Sequence, residues 1–345
     1  MQTKTVRVGG LSIGGDSPIT IQSMWKKPLT GLDQQLVAEV NGLAAIGCDI
    51  LRFAVPDMAS AAVLGELATR VSIPLVADIH FDHKLALRCM DFPVAKIRIN
   101  PGNIGAKWKV EELVRKALDK NVPIRVGVNH GSLPRHLARE NDPAAAMVKA
   151  AEEEIETLES LGFGNIVISL KSSDTQSTVD ANRLFARSFN YPLHIGVTEA
   201  GPLIPGIVRS TLAFSSLLAE GIGNTLRVSL SDTPDAELIS AREILSALGL
   251  RKKGIRLVSC PRCGRSGFDV HGFLSKTMGR LMTLDKNLTV AVMGCVVNGP
   301  GEARHADIGI TGAGNKVMIF KRGELARTIA EEEAIEVFFA ELAAM

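Results

Sequence analysis

The sequence predicts an α/β protein: an N-terminal (β/α)8 barrel of the TIM type followed by a small α+β domain. Three observations carry that expectation. Eight short apolar runs alternate with segments of helical spacing as far as about residue 250, which is the length eight strand–helix units require. No Gly-x-Gly-x-x-Gly follows the first run, so an open doubly wound sheet is the weaker alternative. Past Gly249 the pattern changes to short strands, which divides the chain into 1–250 and 251–345.

Taken in order, the strand runs are Ile19–Met24, Ile50–Val55, Leu75–Ile79, Ala95–Ile99, Ile124–Val128, Ile166–Leu170, Leu193–Val197 and Leu226–Leu230. Helical spacing links Leu36, Val40 and Leu43; Val110, Leu113, Val114 and Ala117; Met147, Ala151, Ile155 and Leu158; Ala181, Leu184 and Phe185; and Leu238, Ala241, Leu245 and Leu248. Asp33 and Asp57 stand where helix starts need a capping acceptor, and Gly162 and Gly164 mark a helix end. The basic stretch Arg251-Lys252-Lys253-Gly254 reads as a solvated hinge. Beyond it, Ile255–Ser259, Leu288–Met293, Ile308–Thr311 and Val317–Phe320 read as strands, closed by a helix over Leu325–Ala343.

Composition bounds the function. A hydrophobic share of 46% supports a full core, while 4% aromatic residues gives little for stacking bases. The formal charge of +2 creates no broad field for nucleic acid or an anionic membrane. With no signal segment and no apolar run of ~18 residues, a soluble, cytoplasmic protein is expected. In that reducing setting the five cysteines are not a disulfide framework. Cys48 and Cys89 lie on apolar faces and read as inert core.

The other three cysteines carry chemistry. Cys260-Pro-Arg-Cys263 can place two sulfurs on one metal centre, and Cys295 follows a strand run within Met293-Gly-Cys-Val-Val-Asn298-Gly-Pro-Gly-Glu302. Three thiolates leave a four-ligand cluster one ligand short, and Glu302, after a Gly-Pro-Gly turn, is the nearest hard donor. Three cysteines with a weak oxygen ligand suit an iron–sulfur cluster with one exchangeable iron. A Cys3His zinc site completed by His271 or His305 is the alternative.

In a barrel, function gathers at the carboxyl ends of the strands. Those ends carry Gln22 and Ser23; Arg52; Asp78 and His80; Arg98 and Asn100; Arg125 and Asn129; Lys171; Thr198 and Glu199; Arg227 and Ser229. Five cations beside buried runs, with only Asp78 and Glu199 as strong counter-charges, are costly unless an anion completes them. A diphosphate fits best, because the guanidinium fork matches phosphate oxygens. Asp78 and His80 share one strand face, so His80 reads as a donor or proton relay at the ligand. Asn100 and Asn129 open glycine-containing loops at the same end. Glu199 reads either as charge balance or as an acid–base group.

These motifs resemble those of the 4-hydroxy-3-methylbut-2-enyl diphosphate synthases, iron–sulfur enzymes of the non-mevalonate isoprenoid pathway. The resemblance covers Ile21-Gln-Ser-Met24, Val76-Ala-Asp-Ile-His-Phe-Asp82, Arg98-Ile-Asn-Pro-Gly-Asn-Ile-Gly105, Gly127-Val-Asn129, Thr198-Glu-Ala-Gly201, Leu226-Arg-Val-Ser-Leu230, Cys260-Pro-Arg-Cys263 and Gly294-Cys-Val-Val-Asn-Gly-Pro-Gly-Glu302. It is to the two-domain form and implies a two-electron reductive ring opening and dehydration of 2-C-methyl-D-erythritol 2,4-cyclodiphosphate. On that resemblance, Cys260, Cys263, Cys295 and Glu302 would hold a 4Fe-4S cluster. Arg52, Arg98, Arg125, Lys171, Arg227 and Ser229 would grip the diphosphate. Asp78, His80, Asn100, Asn129, Glu199 and Asn298 would complete the substrate shell, with Glu199, His80, Asp78 and Glu302 as the catalytic set. Flavodoxin or ferredoxin would supply electrons, and the cluster domain of one subunit would cap the barrel of its partner in a homodimer. Trp25-Lys-Lys-Pro28, His130 and Pro202-Leu-Ile-Pro205 depart from the family pattern. A rival from another class is a Schiff-base barrel lyase or aldolase on a phosphorylated sugar, with Lys171 as the amine and a zinc-stapled C-terminal domain.

Overall fold

A computed structural model describes residues 2–251 and 254–345. The chain divides into two compact units, Met1–Leu250 and Arg251–Met345. Lys252 and Lys253 of the expected hinge lie outside the described residues.

The first unit opens with a hairpin that its apolar runs are too short to announce, β1 (Val6–Val8) and β2 (Leu11–Ile13). Eight parallel strands follow: β3 (Thr20–Met24), β4 (Ile50–Ala54), β5 (Leu75–Asp78), β6 (Lys96–Ile99), β7 (Ile124–Asn129), β8 (Ile166–Lys171), β9 (His194–Ile195) and β10 (Thr225–Leu226). Their order is β8-β7-β6-β5-β4-β3-β10-β9. A bridge between Ile168 and Leu193 joins the two ends and closes the barrel. The expected strands over Leu193–Val197 and Leu226–Leu230 shrink to two residues each. Apolar residues continue there, but the ladder stops where the chain turns over the barrel mouth. Val6, Val8 and Ile13 pack on Ile50, Val76, Ala95 and Val167, so the hairpin supplies an apolar layer to the barrel.

The helices are α1 (Gln34–Ala45), α2 (Met58–Ala68), α3 (His83–Cys89), α4 (Pro101–Ile104), α5 (Lys107–Lys120), α6 (Pro143–Ser160), α7 (Thr175–Ser188), α8 (Leu203–Ala219) and α9 (Pro234–Ala247). Asp33 and Asp57 cap α1 and α2 by accepting from Leu36 N at 2.7 Å and Ser60 N at 2.7 Å. Asp82, Asp142 and Asp174 do the same for α3, α6 and α7. Each cap contributes about 1 kcal/mol and fixes where a helix leaves its strand. Beyond α6, Gly162 takes φ +73°, a left-handed turn that glycine adopts without penalty. Cys48 and Cys89 are buried, and burial pushes both thiols up to about 12.

The second unit is a five-stranded sheet in the order β11 (Ile255–Ser259), β12 (Leu288–Met293), β13 (Ile308–Ala313), β14 (Lys316–Lys321) and β15 (Glu324–Ile329). The first three strands are parallel and the rest antiparallel. Helices α10 (Val270–Met282), α11 (Gly299–His305) and α12 (Ala334–Ala343) complete it. Two expectations fail here. The helix expected over Leu325–Ala343 is β15 followed by α12, because Arg322 and Gly323 turn with positive φ and pair the chain back on β14. The Gly299-Pro-Gly turn is instead the first turn of α11, since proline at a helix start loses no needed N–H. Phe268, Phe273, Phe338 and Phe339 form a chain of ring contacts in the core of this unit.

Candidate active site

Register builds the cationic end of the barrel. Ala54, Asp78, Arg98 and Arg125 are neighbours across β4, β5, β6 and β7. Adjacent residues in a parallel ladder point the same way, so Arg98 and Arg125 stand side by side with Asp78 beyond them. Asn129 and Lys171 are partners four residues further toward the strand ends. Arg125 is therefore deeper than its expected place at a strand end: it is the second residue of β7 and only 2% exposed. Arg52, Arg98 and Lys171 are also buried, and Arg227 is mostly covered just after β10.

Counter-charge is scarce. Asp78 Oδ1 lies 3.2 Å from Arg98 Nη1, and Asp78 Oδ2 lies 3.5 Å from Arg52 Nε. Burial alone would raise the Asp78 carboxyl, but Arg52, Arg98 and Arg125 together hold it below the usual carboxylate range. Burial lowers Arg52 to about 10 despite Asp78. Burial, reinforced by neighbouring cations, pulls Arg125 and Lys171 well below their ordinary values. Arg125 keeps Nε and Nη1 without a hydrogen-bond partner, as do Arg52 Nε and Arg98 Nε. His80 is half-exposed, 3.0 Å from Arg98 Nη1 through Nε2 and 3.6 Å from Asp78 Oδ1. Burial and then the two nearby arginines lower it, outweighing Asp78, so the neutral ring is favoured.

The expected counter-charge Glu199 is not in this network. It is exposed, at φ +50°, between the half-buried Thr198 and the buried Ala200. The second carboxylate is Glu237 of α9, which sequence reasoning missed. It is 1% exposed, 3.0 Å from Arg227 Nη2 and 2.9 Å from Lys26 Nζ, and it accepts from Ser23 Oγ at 2.9 Å and Leu230 N at 3.1 Å. Its one sequence signal was an acid beside the apolar stripe of Leu238 and Ala241. Lys26 belongs to the divergent Trp25–Pro28 segment, where Trp25 stacks on Phe53 at 5.7 Å. Asn100 accepts from Gly102 N at 3.1 Å and so caps α4. Asn129 precedes a short turn at His130–Ser132, and Ser229 is half-buried near Arg227 in sequence.

Two glycines leave room for the cations. A Cβ at Gly127 would lie 2.7 Å from Arg98 Nε, and one at Gly196 would lie 2.7 Å from Lys171 Nζ. Beneath the ring, Lys96 and His194 are wholly buried, with Lys96 Nζ and His194 Nε2 unpartnered. Neither was singled out, because a lysine opening an apolar run reads as an ordinary strand edge.

In the second unit, Cys260, Cys263 and Cys295 line one cavity of about 200 Å³, together with Asn298. Gly294 N donates to Cys260 Sγ at 3.1 Å, the type of bond that tunes cluster thiolates. A Cβ there would lie 2.4 Å from Ser266 Oγ and 3.3 Å from that sulfur. His271 and His305 are exposed and absent from the lining. Glu302 is exposed in the first turn of α11 and does not line the cavity either. Among the described residues, no three His, Cys, Asp or Glu side chains converge on a point where one ion would sit. A single zinc ion would need thiolates about 3.8 Å apart. Three thiols around a larger cavity, with an amide aimed at one sulfur, fit a polynuclear iron–sulfur group.

Fold and site together define a (β/α)8-barrel protein with a cluster of buried cations at the carboxyl end of its strands. Residues 3–242 match the GcpE TIM-barrel domain, and residues 256–344 match the GcpE protein C-terminal domain. The chain belongs to the GcpE family. A Treponema pallidum relative, 4-hydroxy-3-methylbut-2-en-1-yl diphosphate synthase (flavodoxin), is 54% identical over 335 residues, covering 93% of this chain and 83% of the relative. The Geobacter sulfurreducens relative of the same name is 48% identical, covering 99% and 97%. A solved Xanthomonas albilineans dihydropteroate synthase shares the barrel fold, at a TM-score of 0.52 and 15% identity over 72% of this chain and 98% of that one.

Proposed function

We propose that this chain is an oxidoreductase of isoprenoid biosynthesis that opens 2-C-methyl-D-erythritol 2,4-cyclodiphosphate reductively to 4-hydroxy-3-methylbut-2-enyl diphosphate and water, with flavodoxin as electron donor. The observation that carries this is the set of unpartnered donors on Arg52, Arg98 and Arg125 beside one small carboxylate. Full-length relatives named for this reaction support it. The cyclic diphosphate would bring the charge that the ring lacks, so Arg52, Arg98, Arg125, Lys171 and Arg227 bind and orient it. Asp78 holds Arg52 and Arg98 in place. His80, neutral and half-exposed, accepts from Arg98 Nη1 at Nε2, so its proton sits on Nδ1, from which it can donate to the ligand. Gly127 and Gly196 keep space for the cations rather than for water.

Cys260, Cys263, Cys295 and Glu302 would hold a 4Fe-4S cluster, which when bound supplies the two electrons. The buried, cation-lowered amine of Lys171 would also suit a Schiff base, but membership of the GcpE family favours the reductive reading. Anaerobic reconstitution tests the proposal: brown protein holding iron and sulfide should convert the cyclodiphosphate when flavodoxin is reduced. Colourless protein with stoichiometric zinc, or no conversion by iron-loaded protein, would sink it. The reading includes a cytoplasmic homodimer whose subunits complement one another. Mixing Cys260→Ser and Lys171→Ala chains should then restore activity that neither has alone, and a mixture as inactive as its components would exclude that complementation.

A further inference from the structure

The strongest feature outside the site is a shared hydrogen bond behind it. Gly102 N, two residues past Asn100, is approached by three oxygens: Asn100 Oδ1 at 3.1 Å and Glu154 Oε1 and Oε2 at 2.9 and 3.2 Å. Glu154 is on α6, half-buried, and reaches across to the first turn of α4. A Cβ at 102 would lie 2.7 Å from Glu154 Oε1 and would push that carboxylate away from the amide. One N–H cannot serve two acceptors fully, and an ionised carboxylate is the stronger acceptor.

We propose that Glu154 is a positioning residue for the active site: by taking the Gly102 amide it relieves Asn100 of capping α4 and frees the Asn100 side chain for the ligand at the barrel mouth. This rests on the proposed function, in which Asn100 belongs to the substrate shell. The charge on Glu154 is itself adjustable. Burial raises its carboxyl to about 7, opposed by the Gly102 bond and helped by Glu153. The groups around it are Lys107 of α5 and Glu153 and Glu156 of its own helix, which line the same cavity, while α4 contributes no titratable side chain. His136 holds Glu153 at 3.0 Å from the loop before α6. Above pH 7 Glu154 is ionised and holds the amide; below it, the protonated acid is a weaker acceptor and Asn100 returns to the cap.

Calorimetric binding of 2-C-methyl-D-erythritol 2,4-cyclodiphosphate to the full chain tests this between pH 6 and 8. Glu154→Gln should bind about fivefold more weakly than the parent at pH 8, the difference between a charged and a neutral acceptor, and equally at pH 6. In an Asn100→Ala background the gap should vanish at every pH. A gap that ignores pH, or survives Asn100→Ala, would overturn the proposal. The side-chain amide resonance of Asn100 gives a ligand-free reading: it should titrate near pH 7 in the parent and stay still in Glu154→Gln. If the parent fails to bind the diphosphate while that resonance titrates, the reading of the mouth fails and the competition for Gly102 stands. If the resonance does not titrate, the competition itself is wrong.

Discussion

Arg125 and Glu237 show how differently two buried charges can behave. Arg125 has donors with nothing to bond, so in the free protein its burial is a net cost. Arg125→Met should leave the fold equally stable or more stable, by up to about 1–4 kcal/mol, as when other buried charges are exchanged for apolar groups. The same substitution should weaken binding of the cyclic diphosphate by a factor of about 10–100, and iron content should not change. Loss of stability with unchanged affinity would show that Arg125 serves the fold instead. Glu237 is the opposite case, because Arg227 and Lys26 depend on it. Burial would raise its carboxyl, but Arg227 and Lys26 hold it below the ordinary 4.5. A depressed carboxylate contributes stability that is full above its unfolded value and lost as pH falls through the folded one. Glu237→Gln should therefore cost about 3 kcal/mol at neutral pH and flatten the acid side of the stability curve below pH 4.5. A denaturation series from pH 3 to 7 checks both. Arg125 was legible in the sequence because an arginine inside an apolar run is conspicuous. Glu237 was not, since its partners lie just after β10 and in the Trp25–Pro28 segment, and that pairing exists only once the barrel closes.

At the scale of elements, α11 changes the meaning of Glu302. The sequence suggested a turn that delivers the carboxylate to the cysteines; the structure has a helix with Glu302 in its first turn, Asn298 as N-cap, and Cys295 O accepting from Thr311 Oγ1 at 2.9 Å and from Gly299 N at 3.0 Å. A carboxylate there favours the helix start and is a harder, more exchangeable iron ligand than thiolate. Glu302→Cys should accordingly assemble a cluster at least as durable as the parent's but lose most turnover, as followed by visible absorption, iron content and rate. Near-parent turnover would mean that the carboxylate has no special part. The β/α alternation of the barrel was readable because apolar runs end in polar mouth residues and Asp33 and Asp57 stand at the starts of α1 and α2. The α8 helix was missed because Pro202 and Pro205 read as loop; proline is tolerated in a first turn, and Leu203–Ala219 follows from there. β15 was missed because its residues are mostly exposed, so no alternation marked it.

The cationic cluster and the three grouped cysteines fall in two different compact units. Among the described residues, the cations Arg52, Arg98, Arg125, Lys171 and Arg227 and the buried carboxylates Asp78 and Glu237 lie before Leu250, and the three cavity-lining cysteines lie after it. The barrel closes on itself through the Ile168–Leu193 bridge and carries its own apolar layer from the β1–β2 hairpin. Neither feature draws on residues beyond 250. A chain ending at Leu250 should therefore unfold cooperatively on its own, since barrels of about 250 residues are autonomous domains. It should still bind the cyclic diphosphate, because the charge deficit of the ring is intact, but it should not reduce it with flavodoxin or with a strong artificial donor. Cooperative unfolding with no diphosphate binding would place part of the grip beyond Leu250. Turnover by the truncated chain would be the more serious result, since it would put electron transfer within a unit that has only Cys48 and Cys89, both buried and both held protonated by burial.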